Sequence, residues 1–233
     1  VTHRVHDVEL DAARLAKYAL LSQGCSFGDF DRVTVTRATH DGVFLAKFTD
    51  GGGPAIDDNN RWTRLVAAAN GTLFLTPDLR PEYVIGEGTP RVTHDQAVSL
   101  AGASCSCETG SRVVTFEGVD LLTLDLRPGD PIRIVNGSTR KHFGDHFLVQ
   151  AVISDTALAV NVAPDVTAAG CSFAIGCGDG YHEEEGDGDN NLATFHDGLW
   201  RANAGCGVQI HGSYGCRFYG GNIEYGPFWG AKV

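Results

Sequence analysis

Short alternating segments recur at the two ends of this 233-residue chain, and they constrain its fold more than any other feature. Residues 22–27 read SQGCSF and residues 213–218 read SYGCRF, while ATHDGVF at 38–44 is matched by ATFHDGLW at 193–200. Glycine closes each short run and makes up 30 of the 233 residues. This repeated pattern predicts a solenoid in which strands of successive coils pair about 4.8 Å apart, with glycine and asparagine at the corners.

Local patterns in the terminal segments favour strands. The alternation in FDRVTVT at 30–36 places Val33 and Val35 on one face. The other face is expected to carry Phe30, Arg32, Thr34 and Thr36. Residues 8–21 have a composition that fits a helix, but the repeat beside them favours a strand entering a coil, so both structures stay open there. Residues 61–70 are ambiguous in the same way.

The middle of the chain, from 91 to 174, has a different pattern. Four alternating or apolar runs stand at 113–116, 131–135, 147–152 and 157–160. Turn signals separate them, among them Arg127-Pro128-Gly129-Asp130 and Asn136-Gly137-Ser138. The chain is therefore predicted to be all-β, with solenoid coils at 1–90 and 175–233 and a small antiparallel β-barrel or sandwich inserted at 91–174.

The charge balance limits the partners. The chain has 18 Lys+Arg against 29 Asp+Glu, a net charge of −11 at pH 7. A nucleic-acid partner is not expected, because such binding needs a basic surface to displace counterions. Membrane insertion is not expected either, because no apolar stretch approaches the roughly 18 residues needed to cross a bilayer.

The seven cysteines do not suggest a disulfide framework or a zinc site. Their number is odd, and the closest pair, Cys105 and Cys107, lacks the two-residue gap of zinc and redox motifs. Most of them are expected to be small buried thiols that pack as hydrophobic side chains.

The terminal segments resemble the right-handed parallel β-helix of the pectate-lyase-like superfamily, and most closely the bacteriophage tailspike and tail-fibre proteins with that fold. The residues that carry the resemblance are 24–27 through 42–45, 189–191 through 207–210, and the closing Gly221-Asn222-Ile223-Glu224-Tyr225. The middle segment resembles small β-barrel insertions of phage tail proteins. The resemblance covers most of the chain, although each motif has low specificity.

The resemblance implies a function on a virus particle. Members of this family act as homotrimers on the virion, outside the cell, beside other phage tail proteins, where they bind and often cleave bacterial surface polysaccharide. No catalytic motif of the family matches this chain position by position, so activity as a glycoside hydrolase or polysaccharide lyase stays open. The alternatives are a structural tail or baseplate protein, a non-viral lyase, hydrolase or epimerase of the pectin-lyase fold, and a middle segment that is itself the glycan-binding module.

Carboxylates on neighbouring strands are the candidate catalytic groups. Glycoside hydrolysis uses two carboxyl groups about 5 to 9.5 Å apart, a separation that adjacent coils can provide. The candidates are Asp197 and Glu224, with Asp41 as the copy of Asp197 in the repeated segment. In the alternative interpretation, Asp41 and Asp197 cap the turns that precede their glycines.

Aromatic residues are concentrated near the C-terminus, where they could stack on sugar rings. The candidate substrate-binding residues are Trp200, Tyr219, Tyr225, Trp229 and His196. The alternative is that these rings pack inside the coils or at a subunit contact.

No cofactor is expected, although one acidic run leaves calcium open. In residues 182–191 (HEEEGDGDNN), Asp187 and Asp189 alternate as Ca²⁺ ligands do, but the distal glutamate of a calcium loop is missing. A solvated acidic loop is the preferred interpretation. The net charge of −11 fits a neutral or zwitterionic glycan, and a local basic patch would reverse that expectation.

Overall fold

The protein is nearly all β in the computed structural model described below. The structure describes residues 3–23, 25, 27–46, 48–49, 54–55, 59–79, 94–135, 146–183, 193–210, 215–224 and 231–232. Within these residues, the helical elements are two 3-10 turns at His94–Gln96 and Leu121–Thr123. No helix in this part of the chain is long and apolar enough to span a bilayer.

The chain forms two compact units. Unit 1 consists of residues 1–71 together with 178–233, and unit 2 consists of residues 72–177. The segment 91–174, which the sequence sets apart as an insertion, lies within unit 2.

The strands follow one another closely along the chain. Unit 1 begins with β1 (Arg4–Asp11), β2 (Leu20–Gln23), β3 (Asp29–Thr36), β4 (Val43–Ala46), β5 (Phe48–Thr49), β6 (Pro54–Ala55), β7 (Arg61–Thr63) and β8 (Val66–Ala68). Unit 2 contains β9 (Thr72–Leu75), β10 (Ala97–Ser99), β11 (Ser104–Cys107), β12 (Val113–Glu117), β13 (Pro131–Ile134), β14 (His146–Ser154), β15 (Ala157–Val160), β16 (Ala168–Cys171) and β17 (Phe173–Cys177). Unit 1 resumes with β18 (Tyr181–Glu183), β19 (Thr194–His196), β20 (Leu199–Arg201), β21 (Val208–Ile210), β22 (Arg217–Tyr219), β23 (Asn222–Glu224) and β24 (Ala231–Lys232).

Two curled parallel sheets form the body of unit 1. The larger sheet has the order β22-β19-β7-β3-β8-β20-β23, with β1 pairing along β3, and the smaller has the order β2-β4-β18-β21-β24. Every strand pair in these two sheets is parallel. Paired strands are therefore distant in sequence, as Thr194 opposite Arg61 illustrates. The short strands β5 and β6 form a separate antiparallel pair.

Stacked aromatic side chains run through the unit 1 core and end at Phe218, which is 40% exposed. Phe30 stacks on Trp62 with ring centroids 4.0 Å apart, and Phe195 stacks on Phe218 at 4.7 Å. Tyr181 packs edge-on against Trp62 at 5.6 Å and against Phe195 at 4.9 Å. Such pairs contribute about 0.5–1.5 kcal/mol each beyond the burial of their area. The aromatic column therefore ties together strands from both parallel sheets.

A residue with left-handed backbone conformation interrupts the larger sheet at one repeated register position. The φ angles are 54°, 56°, 53°, 51° and 72° for Asp7, Arg32, Arg64, Asp197 and Gly220. Pairing on either side of them places these five residues next to one another in successive strands.

This interruption resets the alternation of side chains along β3. The predicted shared face of Phe30, Arg32, Thr34 and Thr36 is wrong. Phe30 is buried together with Val33 and Val35, while Arg32 is exposed. A left-handed residue turns the strand, so the side chains before and after it no longer obey a period of two.

Buried asparagines connect successive segments of unit 1 at the corner that follows the larger sheet. Asn70 Oδ1 accepts the Ala38 N–H at 3.1 Å, and Asn70 Nδ2 donates to Val35 O at 3.3 Å and to Asn203 Oδ1 at 3.1 Å. Asn203 repeats the arrangement, because its Nδ2 donates to Ala67 O at 3.0 Å. These bonds pair backbone groups that the corner removes from the sheets.

Residues 8–21, for which the sequence allows either a helix or a strand, form strands joined by a turn. β1 and β2 occupy its two ends, and the segment between them is a turn in which Ala13 and Arg14 have φ angles of 50° and 61°. Asp11 Oδ1 accepts the Ala13 N–H at 2.9 Å, which helps to end β1. Leu15 is 90% exposed, so no apolar helical stripe packs on the core here. Residues 61–70 also form strands, β7 and β8.

The four strands predicted in the middle segment are confirmed as β12, β13, β14 and β15. They belong to a sheet of order β10-β9-β17-β13-β14-β15-β12-β11-β16. All its pairs are antiparallel except β9 with β10. The inward side chains form a separate core in unit 2 that includes Val114, Phe116, Ile132, Leu158 and Phe173.

Candidate functional site

Three neighbouring parallel strands of unit 1 create one continuous surface. Trp62, Phe195 and Phe218 are register partners at the middle of β7, β19 and β22. Trp62 and Phe195 are buried, and Phe218, which is 40% exposed, stacks on Phe195. The residues on either side of them point outward and form what we call the outer face: Arg61, Thr63, Thr194, His196, Arg217 and Tyr219. Neighbouring strands lie about 4.8 Å apart, so the outer face presents two columns of three side chains.

An aromatic stack forms one column of the outer face. The rings of His196 and Tyr219 stack with centroids 4.7 Å apart and an interplanar angle of 13°. Tyr219 is 49% exposed, and His196 is partly buried beneath it. The stack offers an apolar ring face with a polar hydroxyl at its tip, the combination that suits a surface both apolar and wet.

Asp197 stands beside this stack. Its backbone N–H donates to Tyr219 O at 3.0 Å, and its side chain is exposed. A Cβ at position 220 would collide with Asp197 Oδ1, so glycine at 220 leaves room for this carboxylate. The predicted residues His196, Asp197 and Tyr219 are thus brought together on one surface.

Glu224 lies on the same sheet as Asp197 but at a different register position along the strands. It pairs in register with Arg201, whereas Asp197 lies beside Gly220. The two residues are four positions apart along the sheet, and the left-handed Gly220 and Gly221 bend the chain between these positions, so the extended length of about 13 Å is an upper limit. The two carboxyl groups of retaining or inverting glycosidases are about 5 to 9.5 Å apart.

Trp200 is placed in the core rather than on the surface. It is 2% exposed and packs edge-on against Phe195 at 5.8 Å and Phe218 at 6.1 Å. A sugar ring has no access to it in this arrangement. Four other predicted residues lie outside the described part of the chain: Tyr225, Trp229, Asp187 and Asp189.

Asp41 occupies a position unlike that of Asp197. It is fully buried and precedes β4 of the smaller sheet, where Gly42 N–H donates to Asp179 O at 2.9 Å. The prediction that Asp41 is a structural copy of Asp197 is therefore wrong. The two His-Asp-Gly sequences are alike, but one forms the entry to the smaller sheet and the other the left-handed position of the larger sheet.

Buried aspartates and histidines form a second cluster around Asp41. Asp41 Oδ1 accepts the Asp179 N–H at 2.8 Å, and Asp179 Oδ1 accepts the Cys206 N–H at 2.6 Å. Each second carboxylate oxygen lies against an imidazole, with His40 Nδ1 at 2.9 Å from Asp41 and His182 Nδ1 at 3.0 Å from Asp179. The same bonding pattern therefore repeats from one segment to the next.

The ligand atoms of Asp41, Asp179 and His182 lie within 4.8 Å of one another. Two carboxylates and an imidazole could hold a transition metal ion more readily than Ca²⁺, which requires six to eight oxygens. The backbone bonds already give these carboxylates a structural role in joining segments. The Asp-Gly step at 41–42 and 179–180 was the sequence signal for this cluster, and sequence reasoning missed Asp179 and His182.

Ion pairs cover the part of the larger sheet next to the outer face. Arg32 pairs with Asp7 and with Asp31, and Arg64 pairs with Asp31 at 2.8 Å. The hydrogen bond from Arg32 holds the pKa of Asp7 below its usual value. In contrast, Arg61 and Arg217 make no ion pair with any residue in the described part of the chain. Sequence reasoning did not single out these two arginines.

The comparisons with known proteins identify no family for the chain. A scan against protein-family models finds no match, and a search of curated proteins finds no significant relative.

Proposed function

We propose that unit 1 is a stack of right-handed β-helix coils, with a small antiparallel domain inserted between them. Support comes from features that repeat along the two parallel sheets: the left-handed position, the inward aromatic column and the asparagine bonds. A solenoid lets one chain pair parallel strands with each successive coil while every inward column stays apolar.

The protein, in this proposal, binds bacterial surface polysaccharide on the outer face, in the manner of a phage tailspike. The observation that carries it is the stack of His196 and Tyr219, in which Tyr219 is 49% exposed, beside the carboxylate of Asp197. An aromatic ring packs against the C–H face of a pyranose, while a carboxylate accepts hydrogen bonds from its hydroxyl groups. The trimer, the virion location and the contacts with other tail proteins come from the family resemblance and belong to the same proposal.

Binding is better supported than cleavage. The register places Asp197 beside Gly220 and Glu224 beside Arg201, on either side of a bend in the sheet, so this pair is not assigned the two catalytic roles of a glycosidase. The outer face, with a stacking ring and one adjacent carboxylate, has the parts needed for recognition.

The experiment is a binding panel of capsular and O-antigen polysaccharides against the wild-type protein and Tyr219→Ala. Loss of the ring should weaken binding by about 1.5 kcal/mol, roughly tenfold in Kd. Ile153→Ala, in β14 of unit 2, is the control, because Ile153 is 55% exposed and lies far from these strands in sequence. Equal affinity of Tyr219→Ala and wild type would refute the outer face as the binding site. Reducing ends released from any bound polysaccharide would add a depolymerase activity.

A further inference from the structure

The second column of the outer face carries two arginines that form no ion pair with any residue that the structure describes. Arg61, Thr194 and Arg217 are register partners on β7, β19 and β22, and both arginines are exposed. The two arginines are separated by one strand, about 9.6 Å between backbones at 4.8 Å per strand. Thr194 between them is short, so the two longer side chains can converge above it.

The acidic neighbours of this column leave the arginines available. Asp29 is the register partner of Arg61 on the other side, but the two side chains form no ion pair within the described part of the chain. Asp197 lies three positions along from Thr194, about 10 Å on an extended strand. Asp31 is already engaged by Arg32 and Arg64.

We propose that Arg61 and Arg217 bind an anionic group, a carboxylate or a phosphate, on a sugar unit next to the one that stacks on Tyr219. The proposal rests on the proposed function and narrows it to acidic polysaccharides. A guanidinium binds such oxygens through paired N–H donors, which gives charge and geometry together. The two columns of the outer face then bind different sugar units of the polysaccharide. The His196–Tyr219 stack binds the ring face of one unit, and the arginines bind the anionic group of the next.

The net charge of −11 does not prevent an anionic sugar group from binding to these two arginines. At physiological ionic strength the Debye length is about 8 Å, so charges on distant surfaces are largely screened. The local arginines therefore decide which sugar units fit, while the overall charge slows the approach of an anionic polymer.

The test compares Arg61→Gln and Arg217→Gln with Arg4→Gln on the acidic polysaccharides of the panel. Each polysaccharide is also supplied in a carboxyl-reduced form and a dephosphorylated form, which separates the two sources of negative charge. Arg4 is a matched control, because it is exposed in the same register column but lies beyond Asp29. Thermal unfolding of each variant verifies that it is folded.

We expect the wild-type protein to bind at least tenfold more weakly when one of the two anionic groups is removed from the polysaccharide. Arg61→Gln and Arg217→Gln should bind the untreated polysaccharide more weakly by the same factor. Arg4→Gln should bind as wild type does. Binding that depends on Tyr219 but survives removal of both anionic groups would overturn this inference and leave the proposed function intact. An equal loss of affinity in Arg4→Gln would also overturn it, because the effect would then come from the protein's total charge and not from these two arginines. No binding to any polysaccharide would overturn both proposals.

Discussion

Replacing Asn70 by alanine should destabilise unit 1 more than most single substitutions do. The side chain is fully buried and, among the described residues, forms hydrogen bonds with Ala38 N–H, Val35 O and Asn203 Oδ1. A net value of about 0.5–1.5 kcal/mol per bond gives a loss of about 3 kcal/mol. For a protein of 150–250 residues, that loss lowers the Tm by roughly 6–12 °C.

Tryptophan fluorescence measures this change in the relevant unit. The three tryptophans, Trp62, Trp200 and Trp229, all belong to unit 1, so their emission during heating or urea unfolding monitors that unit alone. The matched control is Asn222→Ala, because Asn222 is an exposed asparagine of β23 in the same unit. Its free energy of unfolding should change by less than about 0.5 kcal/mol. If Asn70→Ala were as stable as Asn222→Ala, the asparagine bonds would not stabilise the stack as argued.

Two further predictions concern titratable groups. The hydrogen bond from Arg37 lowers the pKa of Asp11 to about 2, so the ion pair's contribution to stability is present above about pH 4 and is lost as the pH falls through about 2. In Arg37→Gln, NMR titration should show the Asp11 pKa returning toward its usual value, and an unchanged pKa would contradict the pairing. Burial raises the pKa of the Cys105 thiol well above its usual range. Iodoacetamide should therefore alkylate Cys105 at pH 8 only after unfolding, and rapid alkylation of the folded protein would refute its burial.

The antiparallel sheet of unit 2 was the most predictable part of the fold. Turn residues such as Pro128-Gly129-Asp130 separate its strands clearly. Alternation of apolar residues in β12 and β15 then matches burial directly, as Val114 and Leu158 illustrate.

Unit 1 was harder to predict because its strands contain a left-handed residue. At Arg32 and Arg64 the residue type does not indicate a positive φ. Asp7 and Asp197 are of a type that tolerates it, and Gly220 is of the type that favours it. The period of two therefore fails within β3, and Phe30 was assigned to the wrong face.

In the candidate site, too, similar sequences do not have similar surroundings. His40-Asp41-Gly42 and His196-Asp197-Gly198 look like copies, yet one aspartate is buried and bonded between segments while the other is exposed. Neighbours in space decide the difference: Asp41 contacts Asp179, 138 residues away, whereas Asp197 lies beside Tyr219 and Gly220 of the following strand. The clustering of His196, Asp197 and Tyr219 needed the register of β19 with β22.

Hydroxyl-radical footprinting of the protein with its bound polysaccharide shows directly whether the glycan covers the outer face. Tyr219 is 49% exposed, so its oxidation is measurable in the free protein, and that of His196 can be followed with it. We expect bound polysaccharide to slow the oxidation of both residues several-fold, while Ile153 in unit 2 stays as reactive as before. Unchanged oxidation of Tyr219, with protection confined to residues 94–177, would contradict the account and place glycan binding in unit 2.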